Sequence, residues 1–238
     1  VAGYPDVGLI SLTEMCRSIQ EISRASGLPT IVDADTGYGE IETSIRTIHE
    51  YERAGAAALH LEDQVFPKRC GHLDGKTLVS TEDMCRKISA MAEARIHPDF
   101  VIIARTDAYA VSGLDETIKR ANAYREAGAD VIFPEGLQAE EQFAEVATGS
   151  PGHLLANMTE FGKTPIIPLS RFEELGYSIV IFPLSMMRVA MGAVVRGLAA
   201  LKEDGSVESL LDDMQDRSSL YELLGYTPGA HWVFPGTK

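Results

Sequence analysis

No apolar run in this sequence approaches the roughly 20 residues that a membrane-spanning helix needs. Basic residues are also in the minority, 21 Lys and Arg against 35 Asp and Glu, for a net charge of −14. The first absence argues against a membrane partner. The second argues against nucleic acids and anionic membranes, since both select basic surfaces; a small anionic substrate stays open where cations gather locally. Cysteine is scarce. Cys16, Cys70 and Cys85 have neither metal-ligand spacing nor the pattern of a disulfide framework. That fits a reducing compartment, cytoplasmic or, in a eukaryote, mitochondrial, with Cys16 and Cys85 expected to be buried on helices. No glycine-rich phosphate fingerprint follows any apolar stretch. No basic-then-apolar leader precedes the loop-like Gly3-Tyr4-Pro5-Asp6, so the chain is expected to start in the middle of something longer.

What is present is a soluble α/β pattern: 238 residues, 45% apolar, expected to form one domain. Ser11-Leu-Thr-Glu14 has capping-box spacing ahead of a helix that Gly27 and Pro29 end. Apolar, β-branched runs follow at 30–35, 59–63, 100–107, 131–135, 154–159 and 179–183, separated by helical stretches near 41–53, 80–94, 114–127, 138–147 and a short one capped by Ser170. Helices near 185–203 and 207–224 and an irregular tail over 228–238 complete the chain. An internal echo supports this division. Tyr51-Glu-Arg-Ala-Gly55, Tyr124-Arg-Glu-Ala-Gly128 and Phe172-Glu-Glu-Leu-Gly176 each end a helix on glycine and lead into an apolar run. A repeated helix–Gly–strand unit means a parallel sheet, open or closed. Six strands are legible and a (β/α)8 TIM-type barrel has eight, so the expectation is a single, incomplete barrel over 1–238 lacking its first two strands.

The chemistry gathers at the strand ends. Asp33 and Asp35, two apart, are expected to point the same way and to repel unless a cation lies between them. A hard, oxygen-ligated ion such as Mg²⁺, or Mn²⁺, answers that need. Glu62 and Glu135 each stand seven residues beyond the repeat glycine, at equivalent strand ends. Arg105, Asn157 and Thr159 end later strands and Arg188 follows the last, a set suited to gripping a small polycarboxylate. Phe133 shares a face with Glu135 and reads as core or as an apolar wall. Between them, Lys68-Arg-Cys-Gly-His72 places one thiol among three potential cations, a field that favours thiolate. His60 reads as a satisfied core histidine, and Met186, Met187 and Met191 as packing or subunit contact.

Lys68-Arg-Cys-Gly-His72, with Val32-Asp-Ala-Asp-Thr-Gly37, Glu62-Asp-Gln64, Ala104-Arg-Thr-Asp-Ala108, Phe133-Pro-Glu135, Asn157-Met-Thr-Glu-Phe161, Pro183-Leu-Ser185 and Met214-Gln-Asp-Arg217, resembles the isocitrate lyase/phosphoenolpyruvate mutase superfamily, and within it the 2-methylisocitrate lyase branch. The likeness runs from about Gly3 to Tyr226. It implies a Mg²⁺-dependent carbon–carbon lyase that splits 2-methylisocitrate into pyruvate and succinate, with Cys70 as general acid tuned by Lys68 and His72. It further implies Asp33, Asp35 and Glu62 at the metal with Asp6 behind them, Gly71 at the substrate, and Arg105, Glu135, Asn157, Thr159, Arg188 and Arg217 lining the pocket. Homotetramers that exchange a helix belong to the same picture. A hydrolase or lyase acting on oxaloacetate or a 2-alkylmalate is the alternative within the superfamily, and a non-catalytic remnant the alternative outside it. The family carries two further strands, the second ending in a Tyr-x-Ser-Gly-Gly segment, that would precede Val1; a chain without them is expected to have an open seam and little turnover.

Overall fold

The computed structural model describes residues 3–233, so residues 234–238 of the expected tail lie outside the described residues. It divides into two compact units, Val1–Phe182 and Pro183–Lys238.

In the first unit, helix α1 (Leu12–Ser26) opens on the expected capping box: Ser11 accepts from the Glu14 N–H while Glu14 accepts from the Ser11 N–H. Strand β1 (Ile31–Asp33), helix α2 (Ile41–Ala54), β2 (Ala58–Glu62), α3 (Thr81–Ala94), β3 (Val101–Thr106), α4 (Tyr109–Ser112), α5 (Leu114–Glu126), β4 (Val131–Pro134), α6 (Glu140–Gly149), β5 (Leu155–Asn157), α7 (Leu169–Glu174) and β6 (Ile179–Ile181) follow. The strands are parallel and lie in chain order: β1 to β4 form one sheet, β5 pairs β6, and an Ile132–Leu154 bridge joins the two groups. Six of the eight strands of a (β/α)8 barrel are therefore in place, in barrel order.

The repeat noticed in the sequence has a common geometry. Gly55, Gly128 and Gly176 take φ of 98°, 110° and 80°. In each case the N–H of the next residue, Ala56, Ala129 or Tyr177, donates to the carbonyl of Tyr51, Tyr124 or Phe172 at 2.9–3.0 Å. This is the Schellman closure, which only a left-handed residue permits and glycine supplies at least cost. All three aromatic rings are fully buried, so each repeat both stops a helix and nails its end to the sheet. Two cores result: a large one between strands and helices, and a smaller one of Ala58, Ile103, Val131, Phe133 and Leu155 on the opposite strand face.

Some local expectations are corrected. Helix α7 is entered from Pro168, with Ser170 inside its first turn rather than capping it. Cys16 and Cys85 do ride on α1 and α3, but half-buried. In the second unit, α8 (Ser185–Asp204) is the expected long helix, whereas the stretch beyond it is a 3-10 helix over Glu208–Asp213 and a separate α9 (Arg217–Leu223). The break has a cause: Met214 is extended, and the Asp216 carboxylate accepts from the Ser219 N–H at 2.9 Å, starting a new helix. Among the described residues no helix is long and apolar enough to cross a membrane.

Beneath the site one buried carboxylate ties three elements together. Asp63 accepts from Thr106 Oγ1 (2.7 Å), the Asp107 N–H (2.9 Å), Arg120 Nη1 (3.1 Å) and Tyr124 OH (2.8 Å). Removing it leaves the Asp107 N–H and the Thr106 and Tyr124 hydroxyls without their acceptor and takes from Arg120 one of its two carboxylates, Glu116 remaining. Asp63→Ala should cost about 3–5 kcal/mol of stability, by comparison with other broken buried pairs. Urea unfolding tests this, and a loss within the scatter of surface substitutions would refute the assignment.

Candidate active site

Parallel register delivers the site. Asp33 is paired with His60 across β1–β2, Glu62 with Arg105 across β2–β3, and Arg105 with Phe133 across β3–β4. Arg105 is almost completely buried and stands among three carboxylates: Asp107 (Nε to Oδ2, 3.0 Å), Glu62 (Nη1 to Oε2, 3.2 Å) and, more loosely, Glu135 (4.0 Å). Its guanidinium carbon lies 5.3 Å from the centroid of the ring of Phe133, a fully buried core residue. Asn157 Nδ2 donates to Glu135 Oε2 at 3.1 Å, and Thr159 follows two residues on, nearly buried.

The loop over residues 66–76 is zipped at its base. Val65 donates to the Thr77 carbonyl, Val79 to that of Asp63, and the Gln64 side chain brackets the Arg69 backbone at 2.8 and 2.9 Å. Its tip rests on the site. A side chain at Gly71 would collide with Glu135 Cγ and Arg105 Nη2, so only glycine allows this approach. His72 Nδ1 accepts from the Lys163 N–H at 3.1 Å, which leaves the proton on Nε2, 2.9 Å from Glu135 Oε1.

The three cations expected to surround the Cys70 sulfur are engaged elsewhere. Lys68 Nζ is buried between Asp35, at 2.8 Å, and Asp6, with which it forms a very short pair. Arg69 donates to the Asp74 carbonyl at 3.3 Å, and His72 faces Glu135. The thiol itself is half-buried. Spacing along the chain shows which charges are near, and not which carboxylates will claim them.

Asp33 and Asp35 do not share a strand face. β1 ends at Asp33, Asp35 sits in the left-handed region at φ 47°, and its N–H donates to Asp33 Oδ1 at 2.8 Å. Their environments split them. Burial opposes ionisation of Asp33, but His60, Lys68 and Arg105 together hold its carboxyl below the usual range, whereas burial and the Asp33 charge push Asp35 up. Burial likewise raises Glu62 to about 8, against the pull of Arg105 and Lys68. For Glu135, burial is outweighed by Arg105 and His72, which keep it low. His60 is more than a core residue: Nδ1 lies 3.5 Å from Asp33 Oδ1 while the ring meets Phe133 edge-on, and burial lowers its pKa despite Asp33.

Among the described residues no three His, Cys, Asp or Glu converge tightly enough to hold a metal unaided. The residues nonetheless fit a hydrated divalent ion. Both Glu62 oxygens are buried without a hydrogen-bond partner among the described residues, and the candidate donors are all oxygens. Six carboxylates, Asp6, Asp33, Asp35, Glu62, Asp107 and Glu135, also outnumber the permanent cations paired with them, Lys68, Lys76 and Arg105. Sequence reading missed Asp107 and Lys76, a buried pair at 3.0 Å; the Ala104-Arg-Thr-Asp-Ala108 run was the available signal. Arg188, on α8, and Arg217, opening α9, belong to the second unit.

Parallel strands in chain order with acids and a buried arginine at their carboxyl ends define a barrel enzyme. The chain belongs to the Phosphoenolpyruvate phosphomutase family, whose model matches residues 1–202. It is 53% identical over 223 residues to probable 2-methylisocitrate lyase 1 of Corynebacterium glutamicum, covering 93% of this chain and 73% of that protein. It is 50% identical over 222 residues to 2-methylisocitrate lyase of Aeropyrum pernix, covering 93% and 71%. Among solved structures it resembles 2,3-dimethylmalate lyase (TM-score 0.87, 41% identity, 94% of this chain and 75% of that one). Oxaloacetate acetylhydrolase bound to 3,3-difluorooxalacetate is similar (0.87, 36%, 93% and 76%). So is phosphonopyruvate hydrolase bound to oxalate and Mg²⁺ (0.82, 30%, 93% and 77%).

The Glu62 environment carries a pH prediction for metal-free protein. Its folded-state pKa lies above the ordinary 4.5, so the native state keeps a proton that the unfolded chain releases. Stability from this group is complete below about pH 4.5 and is lost as pH rises towards about 8. Glu62→Gln should therefore gain about 2–4 kcal/mol on wild type at pH 8 and little at pH 4.5. Urea melts at both pH values test it; a pH-independent difference contradicts it.

Proposed function

We propose that the chain is a carbon–carbon lyase that cleaves 2-methylisocitrate to pyruvate and succinate. The observation that carries this reading is the strand-end cluster itself: a buried arginine against Glu62, whose two oxygens lack hydrogen-bond partners among the described residues, with the Cys70–Gly71 segment seated on the Arg105–Glu135 pair. Such a site offers a place for a hard cation, a forked donor for substrate carboxylates and a proton source on a loop.

The residues divide the work. Arg105, floored by Phe133, grips a carboxylate of the substrate, and Asn157 Oδ1, buried and without a hydrogen-bond partner among the described residues, accepts from a substrate donor. Gly71 supplies close backbone contact, and Thr159 adds a hydroxyl. As the C2 hydroxyl loses its proton to a base, the C2–C3 bond breaks, leaving pyruvate and an electron pair on C3 of the succinate fragment. Cys70 donates its thiol proton to that carbon, and the thiolate is later reprotonated. Lys68 anchors the loop to Asp35 and Asp6, and His72 holds Glu135 ionised beside Arg105. Mg²⁺, or Mn²⁺, held by Asp33, Asp35 and Glu62 with Asp6 behind, supplies Lewis-acid stabilisation of negative oxygen when bound. Three free thiols accord with a cytoplasmic setting. The exposed Met186, Met187, Val189 and Met191 on α8 support assembly into a homotetramer through that helix.

Likeness to the dimethylmalate and oxaloacetate enzymes favours one alternative, a lyase or hydrolase acting on those smaller acids. Incubation of a full-length version with 2-methylisocitrate, 2,3-dimethylmalate and oxaloacetate, following pyruvate and oxalate, decides between them; pyruvate and succinate from the first at the highest kcat/KM is the expected outcome. Cys70→Ser should lower kcat by about 100-fold or more while Mg²⁺ affinity by titration calorimetry stays within about twofold. A serine variant with near-normal turnover would remove Cys70 as the acid. Asp35→Asn should weaken Mg²⁺ binding by about tenfold or more, and unchanged affinity would take it out of the metal site.

A further inference from the structure

The chemistry proposed above makes no use of Asp107 or Lys76, yet both are charged, buried and joined. Asp107 follows β3 directly. Its Oδ2 accepts from Arg105 Nε at 3.0 Å, and its Oδ1 accepts from both Arg105 Nη2 at 3.2 Å and Lys76 Nζ at 3.0 Å. The Asp107 N–H is itself held by Asp63 at 2.9 Å, so the carboxylate has little freedom to swing. Lys76, at the far end of the 66–76 loop, makes its other hydrogen bond, a very short one, to the Gly71 carbonyl. An unbroken path therefore runs from the Arg105 guanidinium through one carboxylate and one ammonium to the carbonyl of Gly71, the residue after Cys70.

The geometry points to Asp107 and Lys76 as positioning residues: a single carboxylate orients Arg105 and, through Lys76, seats the Cys70-bearing loop on the Arg105–Glu135 platform. Gly71 shows why the seat needs a fastener. It packs so closely on Glu135 and Arg105 that no Cβ fits, and a segment with no side chain has no apolar contact of its own to keep it there. A buried ammonium is costly unless its protons are taken, and the two groups that take them here are the Asp107 carboxylate and the carbonyl of Gly71, the residue after Cys70. A pair serving the core alone would have no reason to bond the loop tip. The consequence is coupling. A change that releases Asp107 disturbs the substrate arm and the thiol together, whereas one that removes only the Lys76 ammonium frees the thiol and leaves Arg105 held by Asp107 and Glu62.

The role in catalysis rests on the lyase reading; the seating of the loop does not, and the two are tested separately. Alkylation of the full chain by iodoacetamide, followed at each cysteine by mass spectrometry, reads the seat without any substrate. Lys76→Met and Asp107→Asn should each speed modification of Cys70 by about tenfold or more, as expected when a local closure is lost. Cys16 and Cys85 should stay within about twofold of wild type, the double variant should be no faster than the faster single one, and Lys76→Arg, which keeps the cation, should protect Cys70 nearly as wild type does. In the lyase assay Lys76→Met should lower kcat by about tenfold with little change in KM, while Asp107→Asn also raises KM. An unchanged Cys70 rate in either single variant overturns the proposal. So does an equal rise at all three cysteines, which would mark residues needed for the fold alone, or an arginine variant as reactive as the methionine one. Absence of turnover in a full-length version that carries the two preceding family strands would sink the lyase reading and leave the alkylation result to judge the loop.

Discussion

One buried guanidinium makes the rest of this site possible. Glu62, Asp107 and Glu135 come from the ends of three successive strands, and three carboxylates so enclosed would repel one another and favour neutral forms. Arg105, on the middle strand, meets all three. It does not treat them alike. Asp107 takes two of its hydrogen bonds and, with Lys76 beside it, is held ionised against the cost of burial; Glu135 is held ionised with help from His72. Glu62, though nearer to Arg105 than Glu135 is, receives no hydrogen bond from the described residues, and its burial dominates. The unevenness is useful. Two carboxylates become fixed structural anions, and the third stays responsive to whatever cation or proton is brought to it.

The frame of this arrangement was legible in the chain because it rests on local rules. A glycine after an aromatic-headed helix end, followed by an apolar run, can do little except close the helix and enter a buried strand. The three occurrences closed with the same hydrogen bonds. Counting seven residues from Gly55 and Gly128 placed Glu62 and Glu135 at matching strand ends, because parallel strands that start alike also finish alike. What was not legible depends on distant partners. Nothing near Lys68 in sequence reveals that Asp6 and Asp35 will bury its ammonium. Nothing near Asp33 and Asp35 reveals that the strand ends between them and that the first carboxylate serves the turn. The neighbours of Cys70 suggested a cationic nest; the fold spent each of those charges on a carboxylate or carbonyl elsewhere.

That redistribution changes how the loop is understood. A thiol activated by three adjacent cations would need only its own segment, and the loop could be treated as a self-contained reagent. Here the cations are fasteners. Lys68 ties the entry of the loop to the β1 turn through Asp35, His72 ties its middle to Glu135 and to the Lys163 backbone, and Lys76 ties its exit to Asp107. Three strands and a later loop thus share control over where one sulfur sits. Each fastener also ends on a group of the candidate site, so the position of the thiol and the charge state of the site cannot be set independently. In the lyase reaction proposed for this chain, bond cleavage must be followed by protonation of the right carbon, and that dependence would place the proposed acid, Cys70, only when the carboxylates and the arginine proposed to bind the reactant are in place too.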